Sequence, residues 1–147
     1  MISMTPFGDI YVRFLSQITS YDLLALDNET LEENLKPWLL SSIGFFVNCR
    51  KNLFDLDETL GFFNEELDSM EIDILAKLMV YTYISTHAIT EENTKQKLNS
   101  RDYRMYSPAN QLKVLLDTQA RVSSDVDLLM SRYSYNIHRL KEERNKK

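Results

Sequence analysis

Apolar residues recur at steps of three and four along most of this chain, which is the period of a helix. Phe7, Ile10, Tyr11, Phe14, Leu15 and Ile18 form the first stripe. Thr5 stands ahead of it as a capping hydroxyl and Pro6 suits the first helical position. Ser20 reads as the cap of a short turn over residues 21–26. Thr30 with Glu33 reads as a capping box, and Leu31, Leu35, Leu39, Ile43 and Phe46 follow at helical spacing. Pro37 interrupts that stripe and predicts a kink or a break. From Trp38 to Cys49 the residues are nearly all apolar, so a buried central helix is expected there. Asp57 opens a predicted short helix through Phe62 and Phe63. Asp68 with Glu71 again resembles a capping box. It leads into the cleanest amphipathic stripe: Ile72, Leu75, Ala76, Met79, Tyr83, Ile84 and His87. Thr90 then starts a short polar helix to about Leu98, and residues 99–106 read as irregular.

Ser107 followed by Pro108 is a strong helix start, and no Gly or Pro occurs after it. Leu112, Leu115, Gln119, Val122, Val126, Leu129 and Tyr133 then alternate steps of three and four, as a heptad seam does. The predicted helix, 108–143, is about 36 residues and about 54 Å long at 1.5 Å per residue. A compact chain of this size is only about 30–35 Å across. The helix is therefore expected to project, to bend or to pack on another chain. Leu112, Leu115, Val122, Val126, Leu129 and Tyr133 are the candidate subunit interface. The expected fold is all-α: one domain over residues 1–147, a bundle of about five to six helices with a long C-terminal helix and a basic tail at 144–147.

Composition narrows this further. Three Gly and three Pro in 147 residues are too few for a many-turned β-sandwich or a collagen-like chain. Gly8, Gly44 and Gly61 never cluster, so no phosphate-cradling glycine loop can be written. A formal charge of −5 argues against a protein that grips DNA phosphate. With Cys49 alone there is no intramolecular disulfide and no cysteine zinc site. The N-terminal stretch lacks a basic start followed by an apolar run, so no signal peptide is expected. No apolar run approaches the ~18 residues that span a bilayer, so no membrane is expected as a partner.

The chemistry-bearing residues are few. Asp55, Asp57, Thr59 and Glu66 fall at oxygen positions of a calcium loop, but Leu60 stands where the sharp turn needs Gly. Residues 55–73 carry eight acids and no Lys or Arg. Within them Asp55, Asp57, Glu58, Glu65, Glu66 and Asp68 are the candidate acidic lumen or docking face; a solvated face is the plain alternative. His87 is expected to be partly buried, and with His138 far away no metal site is expected. Cys49 reads as a buried structural thiol. Arg139, Lys141, Arg144, Lys146 and Lys147 form a candidate basic contact tail of net charge +3 with Glu142 and Glu143. No catalytic residue and no cofactor is assigned, and an enzyme is not expected.

Three segments carry a resemblance. They are Arg101-Asp-Tyr-Arg-Met-Tyr-Ser-Pro-Ala-Asn-Gln-Leu-Lys, Phe63-Asn-Glu-Glu-Leu-Asp-Ser-Met-Glu-Ile-Asp-Ile-Leu-Ala-Lys-Leu-Met and Ser131-Arg-Tyr-Ser-Tyr. From Asp9 to Tyr135 the chain resembles small helical virion proteins of tailed bacteriophages that infect Gram-positive hosts. The resemblance implies a neck protein: a head–tail connector subunit that forms a homo-oligomeric ring, commonly of twelve copies, below the portal. Such a ring continues the DNA channel, lets DNA pass without sequence-specific binding and docks the tail. The implied partners are the portal and neighbouring neck or tail proteins, and the implied location is the virion. The alternatives are a tail-assembly chaperone or tail-completion protein, and a monomeric helical adaptor or regulatory binding protein.

Overall fold

A computed structural model describes residues 4–18, 27–97 and 111–145. Among them the order is β1 (Thr5–Pro6), α1 (Phe7–Leu15), α2 (Asn28–Phe45), β2 (Leu56–Asp57), β3 (Phe62–Phe63), α3 (Ser69–Lys97) and α4 (Gln111–Asn145). The chain is mainly helical, as the stripes predict. The described residues hold four helices and a small antiparallel sheet of order β1-β3-β2, which corrects an expectation of five to six helices alone. The readings at Ser20 and residues 21–26, at 99–106, and at Ser107 and Pro108 lie outside the described residues.

The start of α3 follows the sequence closely. The Asp68 carboxylate accepts from the Glu71 N–H and the Glu71 carboxylate accepts from the Asp68 N–H, each at 2.8 Å. This reciprocal pair occupies two amide groups that a helix end leaves over. Ile72, Ile74, Leu75, Ala76, Leu78, Met79, Val80 and Ile84 are buried, because α1, α2 and α4 all pack on α3. At the other end Thr90 starts no new helix. Its hydroxyl donates to the Thr86 carbonyl at 3.0 Å, as Thr86 does to Thr82 and Thr82 to Leu78. Threonine bonded one turn back is compatible with a continuing helix, and α3 runs on to Lys97. His87 is exposed rather than partly buried, its ring set edge-on to Tyr83 at 4.4 Å.

Other ends differ from their sequence reading. Asp27, not Thr30, caps α2: its carboxylate accepts from the Thr30 N–H at 2.8 Å, which holds its pKa below the usual carboxylate value. Pro37 neither ends nor breaks α2. It is exposed, on the outer side where a missing backbone bond costs least. The expected buried helix from Trp38 to Cys49 stops at Phe45, and its last turn is amphipathic. Leu39, Ile43 and Phe46 are buried, while Phe45 and Val47 are 51% and 83% exposed. Thr5 is no cap either. Its buried hydroxyl donates to the Glu65 carbonyl at 3.1 Å and accepts from the Leu67 N–H at 2.9 Å, and Pro6 takes the cap position of α1.

The predicted short helix at 57–63 is a hairpin. Asp57 Oδ1 accepts from the Leu60 N–H at 2.9 Å and the Asp57 carbonyl from the Gly61 N–H at 2.8 Å. Gly61 has φ +79°, a left-handed conformation that reverses the chain and sends Phe62 and Phe63 back antiparallel to β2. Phe63 is then fully buried beneath Phe7, ring to ring at 5.0 Å. A Cβ at Gly61 would lie 3.7 Å from the Phe7 ring, so space is adequate and the backbone alone is strained. Gly61→Ala is expected to lower unfolding stability by about 1 kcal/mol, and Gly61→Asn by less. Urea denaturation checks this, and equal midpoints for Ala and the parent would refute it.

The longest helix is α4, 35 residues and about 52 Å. It lies antiparallel along α3 in one register: Gln119 donates to Ser85 at 2.7 Å, Val126 flanks Leu78, and Tyr133 donates to Glu71 at 2.6 Å. Val126 and Tyr133 are 3% and 2% exposed, and Leu115, Val122 and Leu129 pack against the same core. This corrects the assignment of the seam as a subunit interface, because α3 of the same chain is its partner. The Leu112 side chain lies outside the described residues.

Candidate functional site

The acidic stretch 55–73 does not form one continuous wall. Asp55 accepts from the Asn64 side chain at 2.8 Å, Asp57 holds the hairpin turn, and Asp68 caps α3. Two of its acids meet arginines. Asp68 pairs with Arg50 at 3.2 Å and Asp73 with Arg13 at 2.5 Å. Arg13 also donates to the Ser69 carbonyl at 2.8 Å, which pins the end of α1 to the first turn of α3. Glu66 and Glu58 are exposed and Glu65 is half-buried. The calcium-loop spacing gathers no site: among the described residues no group of three or more His, Cys, Asp or Glu is placed to hold a metal. Likewise, among them no helix is long and apolar enough to cross a membrane.

Folding makes a different acidic feature. Glu58, at the hairpin tip, comes beside Glu29, Glu32 and Glu33 on the first turns of α2. Together with Phe7 and Tyr11 they line an open groove of about 410 Å³, in which Lys36 is the single cation among the described residues. Burial, then the charge of Glu32, pushes the Tyr11 phenol above its usual pKa. The sequence reading missed this groove because it joins segments about one helix apart that share no motif. The four acids within residues 29–33 and 58 were visible only as ordinary helix-start and loop charges.

The second constellation is buried. Glu71, fully enclosed, is a polar residue at a core position of α3. Its Oε1 accepts from the Asp68 N–H and from Lys51 Nζ at 3.4 Å. Its Oε2 accepts from the Tyr133 hydroxyl at 2.6 Å and from the Cys49 thiol at 3.5 Å. Tyr133 in turn accepts from the Arg50 N–H at 2.9 Å, with the Arg50 guanidinium 5.7 Å over its ring. Lys51 Nζ also donates to the Glu66 carbonyl. Asn48 donates to the Met130 carbonyl at 2.9 Å and to the Ser134 hydroxyl, and its own buried Oδ1 has no partner among the described residues. One carboxylate thus ties the segment after α2 to the start of α3 and to α4.

Burial works to raise the Glu71 pKa, but hydrogen bonds from Tyr133 and Asp68 and the Lys51 charge outweigh it and hold it below 4.5. Burial, then Glu71, pushes the Tyr133 phenol up. The Cys49 thiol is pushed up to about 11, chiefly by burial, so it stays protonated and weakly nucleophilic. It is half-buried, close to the structural thiol expected from sequence. Cys49 is expected to alkylate at least about tenfold more slowly in the folded protein at pH 8 than in urea, read by mass spectrometry. Equal rates would show an open, activated thiol instead.

Of the basic tail, Lys146 and Lys147 lie outside the described residues. Arg139, Lys141 and Arg144 lie in the last three turns of α4. The register of α4 on α3 sets Tyr133 against Glu71, so residues 137–145 run past Ser69, the first residue of α3. No known protein family, curated protein or solved structure matches this chain.

Proposed function

We propose that this chain is a structural subunit of a tailed-phage virion: a head–tail connector or adaptor of the neck, acting as a ring below the portal rather than as a catalyst. Its residues bind by surface contact and transfer nothing. The observation that supports this most is the large apolar surface left after the core is filled. Phe45, Val47, Phe54 and Leu60 are 51%, 83%, 76% and 72% exposed. On the flank of α4 away from its seam, Val114, Leu128 and Tyr135 are 59%, 51% and 67% exposed. Val47 and Phe54 border one surface groove, and grouped apolar side chains left in water suit a surface that another subunit covers. The three segments that resemble phage neck proteins supply the assembly, and the clasp around Glu71 gives the subunit a fixed shape to present. With the heptad seam facing inward, ring contacts fall to these outer residues and to the charged surfaces.

The test is made in the phage that encodes the chain. Purified virions should contain it in several copies by quantitative mass spectrometry. A deletion should leave DNA-filled heads and free tails that do not join. A protein absent from virions, with tails missing altogether, would point to an assembly chaperone and overturn the connector reading.

A further inference from the structure

The groove and the end of α4 are opposite in charge. The groove carries Glu29, Glu32, Glu33 and Glu58 against Lys36, a net of −3. The end of α4 carries Arg139, Lys141 and Arg144 against Glu142 and Glu143, and with Lys146 and Lys147, which follow it in sequence, residues 137–147 have a net charge of +3. The groove walls come from α1, α2 and the hairpin. Residues 137–145 continue α4 as helix beyond Tyr133, which faces Glu71 near the start of α3. The groove also offers what a basic helix needs besides charge: exposed apolar surface, from Pro6 and Leu60, on which the stems of Lys and Arg can lie while their heads reach carboxylates.

We propose that the basic C-terminal end of α4 from one copy docks in the acidic α1–α2 groove of the next, a head-to-tail contact between identical chains. Two different surfaces meet, so each copy still has one of each free and the contact propagates. Repeated with a fixed rotation, it closes into a ring. The inference deepens the connector reading and rests on it only for the closed ring; the pairwise contact stands on the chain's own charges. Attraction between the two surfaces is screened by salt, and exposed charge pairs weaken as ionic strength rises.

The experiment uses the full-length protein and sedimentation velocity over a concentration series. The wild type should self-associate at low ionic strength and dissociate in high salt. The triple variants Glu29→Lys/Glu32→Lys/Glu33→Lys and Arg139→Glu/Lys141→Glu/Arg144→Glu should each weaken association about tenfold or more. Mixed in equal amounts they should associate again, since each reversed surface then finds a complement. Circular dichroism on both variants, unchanged from the parent, shows that lost association is not lost folding. A wild type that stays monomeric, a triple variant that associates like the parent, or a mixture that stays monomeric overturns the contact. A concentration-independent change of shape would show the tail folding onto its own groove and overturn it as well. Phage carrying either triple variant separates the two claims: normal virions sink the contact and leave the neck role, whereas absence of the wild-type protein from virions sinks the neck role alone.

Discussion

Replacing Glu71 by Ala should lower unfolding stability by about 3–5 kcal/mol, the cost of taking one partner out of a buried charged network. For a chain of this size that is a fall in melting midpoint of roughly 10 °C or more. The substitution leaves the Tyr133 hydroxyl and the Asp68 N–H without their acceptor beside a fully enclosed position, while Lys51 keeps the Glu66 carbonyl. Glu71→Gln keeps the volume and one acceptor oxygen, and should cost less, about 1–3 kcal/mol. Tyr133→Phe removes a single donor, and the double variant with Glu71→Ala should cost less than the sum of the two. The carboxyl is held below its ordinary value of 4.5 when folded, so its contribution is present above that pH and lost as pH falls through the lower, folded value. The wild-type melting midpoint should therefore drop between about pH 5 and pH 3 more steeply than that of Glu71→Gln. A Glu71→Ala protein that melts with the parent, or parallel pH profiles, would falsify the role of the clasp.

Phe14→Ala should be comparably damaging, about 3–5 kcal/mol, because the side chain is fully enclosed and its loss leaves a cavity. Phe14 is the joint between three helices. Its ring lies 5.9 Å from Trp38 on α2 and 5.9 Å from Tyr83 on α3, which are themselves 5.3 Å apart. Tilted and edge-to-face rings add to the plain burial. Trp38 is the single tryptophan in the chain, so its emission reports this joint directly. The expected result is a lower urea midpoint with a red-shifted emission before unfolding, as water reaches the indole. Phe14→Leu, closer in volume, should cost under about 2 kcal/mol. An unchanged emission and midpoint in Phe14→Ala would place the joint elsewhere.

The main helices were legible because their apolar residues keep a period of three and four over many turns. The reciprocal box at Asp68 and Glu71 was legible because both partners sit three residues apart. Residues 57–63 misled because the two aromatics read equally as helix core or as strand, and only the Gly61 backbone decides between them. The seam of α4 was visible, but its partner was not: a heptad pattern says that a complementary face exists and does not say in which chain. Tyr133 and Glu71 were each noted, one in the seam and one in a cap. Their contact spans 62 positions, and no local pattern reaches so far. The acidic groove was missed for the same reason, since its walls are joined only by folding.

That α4 supplies part of the core also bears on synthesis. Val126 and Tyr133 complete a buried cluster whose other members come from α1, α2, α3, β3 and the segments between α2 and α3, so the cluster stays open until they arrive. A ribosome hides the most recently made stretch of the chain in its exit tunnel, so the core cannot close until synthesis has passed well beyond Tyr133. Until then the face of α3 that awaits α4 is bare, and the unfinished chain is a target for holdase chaperones and proteases. A message broken before codon 133 would yield no smaller working version of this subunit, only a chain to be degraded.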